Sequence, residues 1–151
     1  MNLKIILGLR PTRNDMPFAE LDALYTDILS RIHVQDINAT LRLLGGIIYS
    51  KFSYMNNRMI EKLMLLDEGA VTRLLVDLSS IITIERGHIK FLHASFGDFL
   101  SDKDRSKEYY INSKSMFTEL AFIGLRHIDQ YGRDGECFLA SLYSFLLLYI
   151  F

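Results

Sequence analysis

Ile81-Ile-Thr-Ile-Glu-Arg-Gly-His-Ile-Lys-Phe-Leu-His-Ala-Ser-Phe-Gly-Asp-Phe-Leu100 is the stretch that decides how this chain folds. Ile82, Ile84, Ile89 and Phe91 supply the β-branched and aromatic content of strands, and Arg86-Gly87 supplies a turn between them. Beyond His93 the spacing changes, because Phe96, Phe99 and Leu100 recur with a helical period. The stretch predicts strand, tight turn, strand and a short helix that begins at or just after His93. A hairpin thus delivers a histidine to the mouth of a helix, and function turns on what that histidine faces.

Upstream, the periodicity predicts four helices. The first spans about 18–32, with Phe18, Leu21, Leu24, Tyr25, Ile28, Leu29 and Ile32 on one stripe. The second spans about 37–49, with Asp36 as its N-cap. Gly45-Gly46 interrupts it, marking either a close approach by another element or a tolerated weakness. The third runs from Asn57 to about Leu65. Asp67 is read as the cap of a fourth, over 68–80. Two short helices joined by Leu66-Asp67 have helix-turn-helix dimensions, and the hairpin follows directly. The expected fold is therefore mainly α, a winged helix (helix-turn-helix plus a small β-hairpin wing) flanked by additional helices. Downstream, Ser101 to Lys107 reads as a solvated charged turn and Tyr109 to Ile111 as extended. A last helix is expected over 115–128, facing inward through Phe117, Leu120, Ala121, Leu125 and Ile128.

The division expected is an N-terminal stub and linker over 1–16, a linker helix with the winged helix over 17–112, and a C-terminal helical segment over 113–151 that reads as truncated. In 151 residues half are apolar, enough for a core without staples. Seventeen basic against eighteen acidic residues leave a net charge of -1, which gives no long-range field for nucleic acid or anionic lipid. The single cysteine, Cys137, excludes an internal disulfide and suits a reducing, cytoplasmic setting. Phe138 to Phe151 is nearly all apolar, but fourteen residues at helical rise span about 21 Å against about 30 Å of bilayer core. A buried helix is preferred there over an unpartnered helix or an anchor, and no membrane partner is expected.

Chemistry-bearing patterns are few. No glycine sits in a phosphate-binding loop. His33, His88, His93 and His127 with one cysteine make no zinc spacing, so no metal is expected. His93, Ser95 and Asp98 are too close along one helix for a nucleophilic relay, so no catalytic residues are assigned. Arg73 is the only cation in the helix that would enter a DNA groove, and Lys90 the only lysine of the wing, which disfavours DNA. From spacing alone His93 is either a satisfied packing histidine or a ligand contact.

Phe91-Leu-His-Ala-Ser-Phe-Gly-Asp-Phe-Leu100 resembles the LHxSFxDFL motif in the winged-helix region of fungal NACHT-domain proteins, which belong to the signal-transduction ATPases with numerous domains. Pro17 to Leu29 is similar to the helix those proteins place after the nucleotide-binding domain, and Arg105-Ser106 with Glu108 to Ile111 resembles the segment after the motif. The similarity covers about Pro17 to Ile128. It implies a non-catalytic regulatory module: in the resting state the motif histidine, here His93, contacts the phosphates of bound ADP and holds the switch closed. Leu92, Phe96, Asp98, Phe99 and Leu100 are implied to pack and orient the sensor helix. No nucleotide-binding domain precedes the resemblance, so the chain carries no cofactor of its own. ADP or ATP enters only with a NACHT-type domain, in cis from missing sequence or in trans from another protein. The expectation is a fragment of such an ATPase or a partner to one. The alternatives are a stand-alone interaction module acting in trans, as a decoy, and a DNA-binding winged helix.

Overall fold

The computed structural model describes residues 18–50 and 52–131, with the side chains of Tyr54 and of residues 127–131 outside the description. The expectations for the N-terminal stub, for Cys137, for His127 and for the apolar segment Phe138 to Phe151 lie outside the described residues. What is described is mainly helical, with one small antiparallel sheet.

Helix α1 (Ala19–Ser30) buries Tyr25, Ile28 and Leu29, the inward part of its predicted stripe, while Leu24 stays half exposed. Helix α2 (Ile37–Tyr49) matches its expected span. Asp36 occupies the N-cap position there but makes no side-chain cap. Helix α3 (Asn57–Met64) is capped by Asn56, whose side chain accepts a hydrogen bond from the Met59 N–H at 3.0 Å. It ends on Leu65 in the left-handed region (φ 55°).

The fourth helix is shorter than its periodicity suggests. Helix α4 spans only Ala70–Leu75, continues as a 3₁₀ turn over Val76–Leu78, and has Gly69 rather than Asp67 at its N-cap. The cap comes from the preceding helix. Glu61, 5 % exposed, accepts a hydrogen bond from the Val71 N–H at 3.1 Å. A carboxylate at a helix N-terminus satisfies an orphan donor and meets the positive end of the dipole, which is what permits a buried glutamate there.

Strands β1 (Ile82–Glu85) and β2 (His88–Phe91) pair antiparallel, with Ile82 opposite Phe91 and Glu85 opposite His88. Arg86 (φ 53°) and Gly87 (φ 78°) both take positive φ, as the two-residue turn of a tight hairpin requires. Ile82 and Ile89 are buried, while Glu85 and Lys90 face solvent and pair with each other at 2.9 Å. Helix α5 (Ala94–Ser101) follows and buries Phe96, Phe99 and Leu100.

The charged stretch after it is a short helix instead of a turn, while Asp102, Lys103, Asp104 and Lys107 stay exposed as expected. Asp102 accepts hydrogen bonds from the Asp104 and Arg105 N–H groups and starts the short helix α6 (Lys103–Ser106). A 3₁₀ turn over Lys107–Tyr109 follows, which takes Tyr109 out of the expected extended segment, while Tyr110 has extended dihedrals. Burial, reinforced by the neighbouring Glu108 charge, pushes the Tyr109 phenol above its usual range.

The last helix, α7 (Ser113–Tyr131), packs on α2 with a face rotated from the expected one. Met116 is buried and Leu120 and Ile123 lie against the core, while Phe122 and Leu125 are 68 % and 63 % exposed. The reason is the glycine pair. A Cβ on Gly45 would sit 2.3 Å from the Met116 methyl, and one on Gly46 would sit 2.3 Å from the Phe52 ring. Met116 therefore enters the groove that Gly45 leaves, and the Arg42–Glu119 ion pair fixes α7 beside it. Both glycines mark close approach. Met116 also belongs to the same core as α1 to α5, so the start of the 113–151 segment is continuous with what precedes it.

Two stability outcomes follow from this packing. Gly46→Ala drives a methyl into a buried ring and should cost about 2 kcal/mol even after the gain in helix propensity. Gly45→Ala meets chiefly the mobile end of Met116, with the Ile111 Cγ2 methyl at 3.0 Å, and should cost about 1 kcal/mol, less than Gly46→Ala. Equal urea midpoints for the two variants would contradict this account. Lys107, at φ 50° and ψ -110°, holds a conformation suited to glycine. Lys107→Gly should raise stability by about 1 kcal/mol, read as a higher melting temperature; a lower one would show that the lysine side chain contributes more than its backbone strain costs.

Candidate functional site

The site is built around the entry to α5. Leu92 is tied back by its N–H to the Ile81 carbonyl at 2.9 Å, which closes the hairpin and aims the chain into the helix. His93 is the N-cap residue, with extended dihedrals (φ -130°, ψ 121°) and no side-chain cap. Its carbonyl accepts the Phe96 N–H at 3.1 Å. The imidazole is exposed and makes no hydrogen bond or ion pair among the described residues.

Behind His93 the helix is held firmly. Tyr25, fully buried on α1, donates or accepts a 2.8 Å hydrogen bond with the Ser95 hydroxyl. Its ring lies 5.0 Å from that of Phe96 and 5.4 Å from that of Phe99, tilted against both. Phe91 at the end of β2 meets Phe96 edge-on at 5.6 Å, so hairpin, α5 and α1 share one aromatic cluster. Such ring pairs each contribute about 0.5–1.5 kcal/mol beyond the area they bury.

One turn earlier on α1, Asp22 receives Arg105 of α6 in a forked pair. Arg105 Nη2 donates to Asp22 Oδ1 at 2.7 Å, and Nε lies 3.2 and 3.1 Å from the two carboxylate oxygens. Both side chains are mostly buried, at 15 % and 16 % exposure. The guanidinium also lies 4.9 Å from the Phe18 ring centroid and 6.0 Å from that of Phe99. The hydrogen bond to Asp22 raises the Arg105 pKa against the opposing effect of burial, and the charges of Asp22, Asp102 and Asp98 add to the rise. A folded-state value raised in this way gives a contribution that is complete below the unfolded value and lost only in strong base. The clasp keeps its arginine charged wherever the chain is folded.

The residues singled out in the sequence thus separate into two groups. Phe96, Phe99 and Leu100 are fully buried. Leu92, 51 % exposed beside His93, and Asp98, further along α5, face solvent, and the Asp98 charge adds to the rise of the Arg105 pKa. Ser95 bonds Tyr25, and no hydrogen bond joins His93, Ser95 and Asp98. Two functional positions carried no local signal. Asp22 and Arg105 are 83 residues apart, and each reads as an ordinary surface charge. Among the described residues no group of three or more histidines, cysteines and carboxylates converges, and no helix is long and apolar enough to cross a membrane.

What the arrangement can do is present an imidazole, at the positive end of a helix, to an anion arriving from outside. No family model matches the chain, and neither a curated protein nor a solved structure matches it.

Removing either tie should loosen α1. Asp22→Asn leaves Arg105 half-paired in a mostly buried place and should cost about 2 kcal/mol, and Tyr25→Phe about 1 kcal/mol. Amide hydrogen exchange along α1 should quicken in both. Wild-type stability in Asp22→Asn would reduce the pair to a surface ornament.

Proposed function

We propose that the described region is a winged-helix regulatory module of a NACHT-type switch ATPase. Helices α3 and α4 form its helix-turn-helix pair and β1–β2 its wing. Its His93 end docks on a nucleotide-binding domain, in the same polypeptide or in another, and contacts the phosphates of bound ADP. The observation that supports this reading is the free, exposed imidazole of His93 on a helix otherwise pinned by the aromatic cluster and the Asp22–Arg105 clasp. A donor fixed in place loses little freedom on binding, and a phosphate facing a helix N-terminus gains from the dipole. The module contributes no catalytic group. It biases a closed state, and loss of that contact on exchange for ATP would release it.

An interaction module acting in trans draws support from a second observation. Leu92, beside His93, is about half exposed, so apolar surface adjoins the helix entry. A reading as a DNA binder is weaker, since Arg73 is the only cation of α4, the helix that would enter a groove.

Binding of the chain to a full-length NACHT ATPase, loaded with ADP or with a non-hydrolysable ATP analogue, tests the proposal. Preference for the ADP form is expected, with affinity about tenfold weaker for His93→Ala, the scale of one charge-assisted hydrogen bond. Equal binding of wild type and His93→Ala to the ADP form would remove the sensor role. Binding that ignores the nucleotide would favour the decoy reading.

A further inference from the structure

The hairpin turn carries a second constellation that the His93 reading does not use. A hollow of about 570 Å³ lies beside it, lined by Ser53, Glu85, Arg86, His88 and Lys90. That volume falls in the range of small-ligand sites, about 300–1,000 Å³. Its lining is rich in donors with nothing to bind. The Arg86 guanidinium and the Ser53 hydroxyl make no hydrogen bond or ion pair among the described residues. His88 Nδ1 is buried without a partner.

Charge points the same way. Two cations stand against one carboxylate, with His88 counted as neutral. The carboxylate, Glu85, is taken up by Lys90 at 2.9 Å, but both side chains are more than half exposed. Such a pair is worth about 0–1 kcal/mol, so Lys90 can turn to a competing anion at little cost. The backbone adds an independent observation. Arg86 holds φ 53° in the first turn position, where asparagine or aspartate is preferred and where an ordinary residue costs roughly 1 kcal/mol. An arginine placed there against local preference, at the rim of a hollow of unpaired donors, fits a forked anion contact.

We propose that this hollow binds a phosphoryl group, with Arg86 as the fork, Ser53 and His88 as further donors and Lys90 as the recruited cation. The ligand is a phosphate monoester or diester, soluble or on a lipid headgroup.

The test follows amide shifts of the whole chain during titration with inorganic phosphate, against chloride at matched ionic strength. The proposal expects saturable shifts confined to residues 85–90 and Ser53. It also expects affinity to fall about tenfold in Arg86→Asn and measurably in His88→Gln. Arg86→Asn suits the turn better than arginine, so its melting temperature should be unchanged or higher, and lost binding cannot be ascribed to lost folding. Absent saturation, or equal affinity in wild type and Arg86→Asn, overturns the proposal. Sedimentation with phosphatidylinositol-phosphate vesicles, competed by inorganic phosphate and lost in Arg86→Asn, identifies a lipid source; phosphate binding without sedimentation identifies a soluble one.

Discussion

Tyr25 is the joint on which the described structure depends. Its ring lies against Phe96 and Phe99, and its hydroxyl meets Ser95, so a single side chain of α1 holds the whole inner face of α5. Asp22 lies three residues earlier, on the same side of α1, and takes Arg105 of α6. Two ties of different physics therefore run from α1, one to α5 and one to the α6 that follows it. The aromatic one resists salt and is weakened by cooling; the ionic one is directional and fixes the angle between α1 and α6. Together they convert an eight-residue helix, too short to hold itself in water, into a rigid mount for His93.

The other half of the core is organised by close approach. Gly45 and Gly46 let Met116 of α7 and the Phe52 ring enter where any side chain would exclude them. This lets α7 lie close to α2, and it sets which residues of α7 point inward. Across the molecule, the buried Glu61 performs a comparable service for α4. It supplies from one helix the cap that the next cannot make for itself, so α3 and α4 are linked electrostatically as well as by packing.

Much of this was legible in the sequence, and the failures have physical causes. Helices α1, α2 and α3 and the hairpin were read within a few residues, because each has a periodic apolar face or an unambiguous turn. Helix α4 was overextended, since a periodic pattern does not register the tightening into a 3₁₀ turn at Val76. Asp67 was preferred as its cap because capping is read locally, whereas Glu61 acts across ten residues through the tertiary fold. The face of α7 was misread for the same kind of reason. Leu125 and Phe122 are as hydrophobic as Met116 and Ile123, and only the position of the glycine pair on α2 decides between them. Arg105 was hidden among alternating charges, where composition says solvent and only the placement of Asp22 says otherwise.

Besides the left-handed Leu65 that ends α3, three residues depart from local preference. His93 occupies an N-cap position, where serine, threonine, aspartate or asparagine would satisfy an orphan N–H, and its imidazole caps nothing. Arg86 occupies a left-handed turn position that suits asparagine, and Lys107 one that suits glycine. Local preference and tertiary structure agree at the Asn56 and Asp102 caps and along the buried faces of α1 and α5. Sequences that fold well are consistent across levels, and departures from consistency collect where a residue serves something other than stability. Two of the three departures place a free nitrogen donor at the surface, one at the entry to α5 and one at the tip of the hairpin. Both lie on the single stretch from Ile81 to Leu100, so the segment that decides the fold also carries the two groups that the fold does not need.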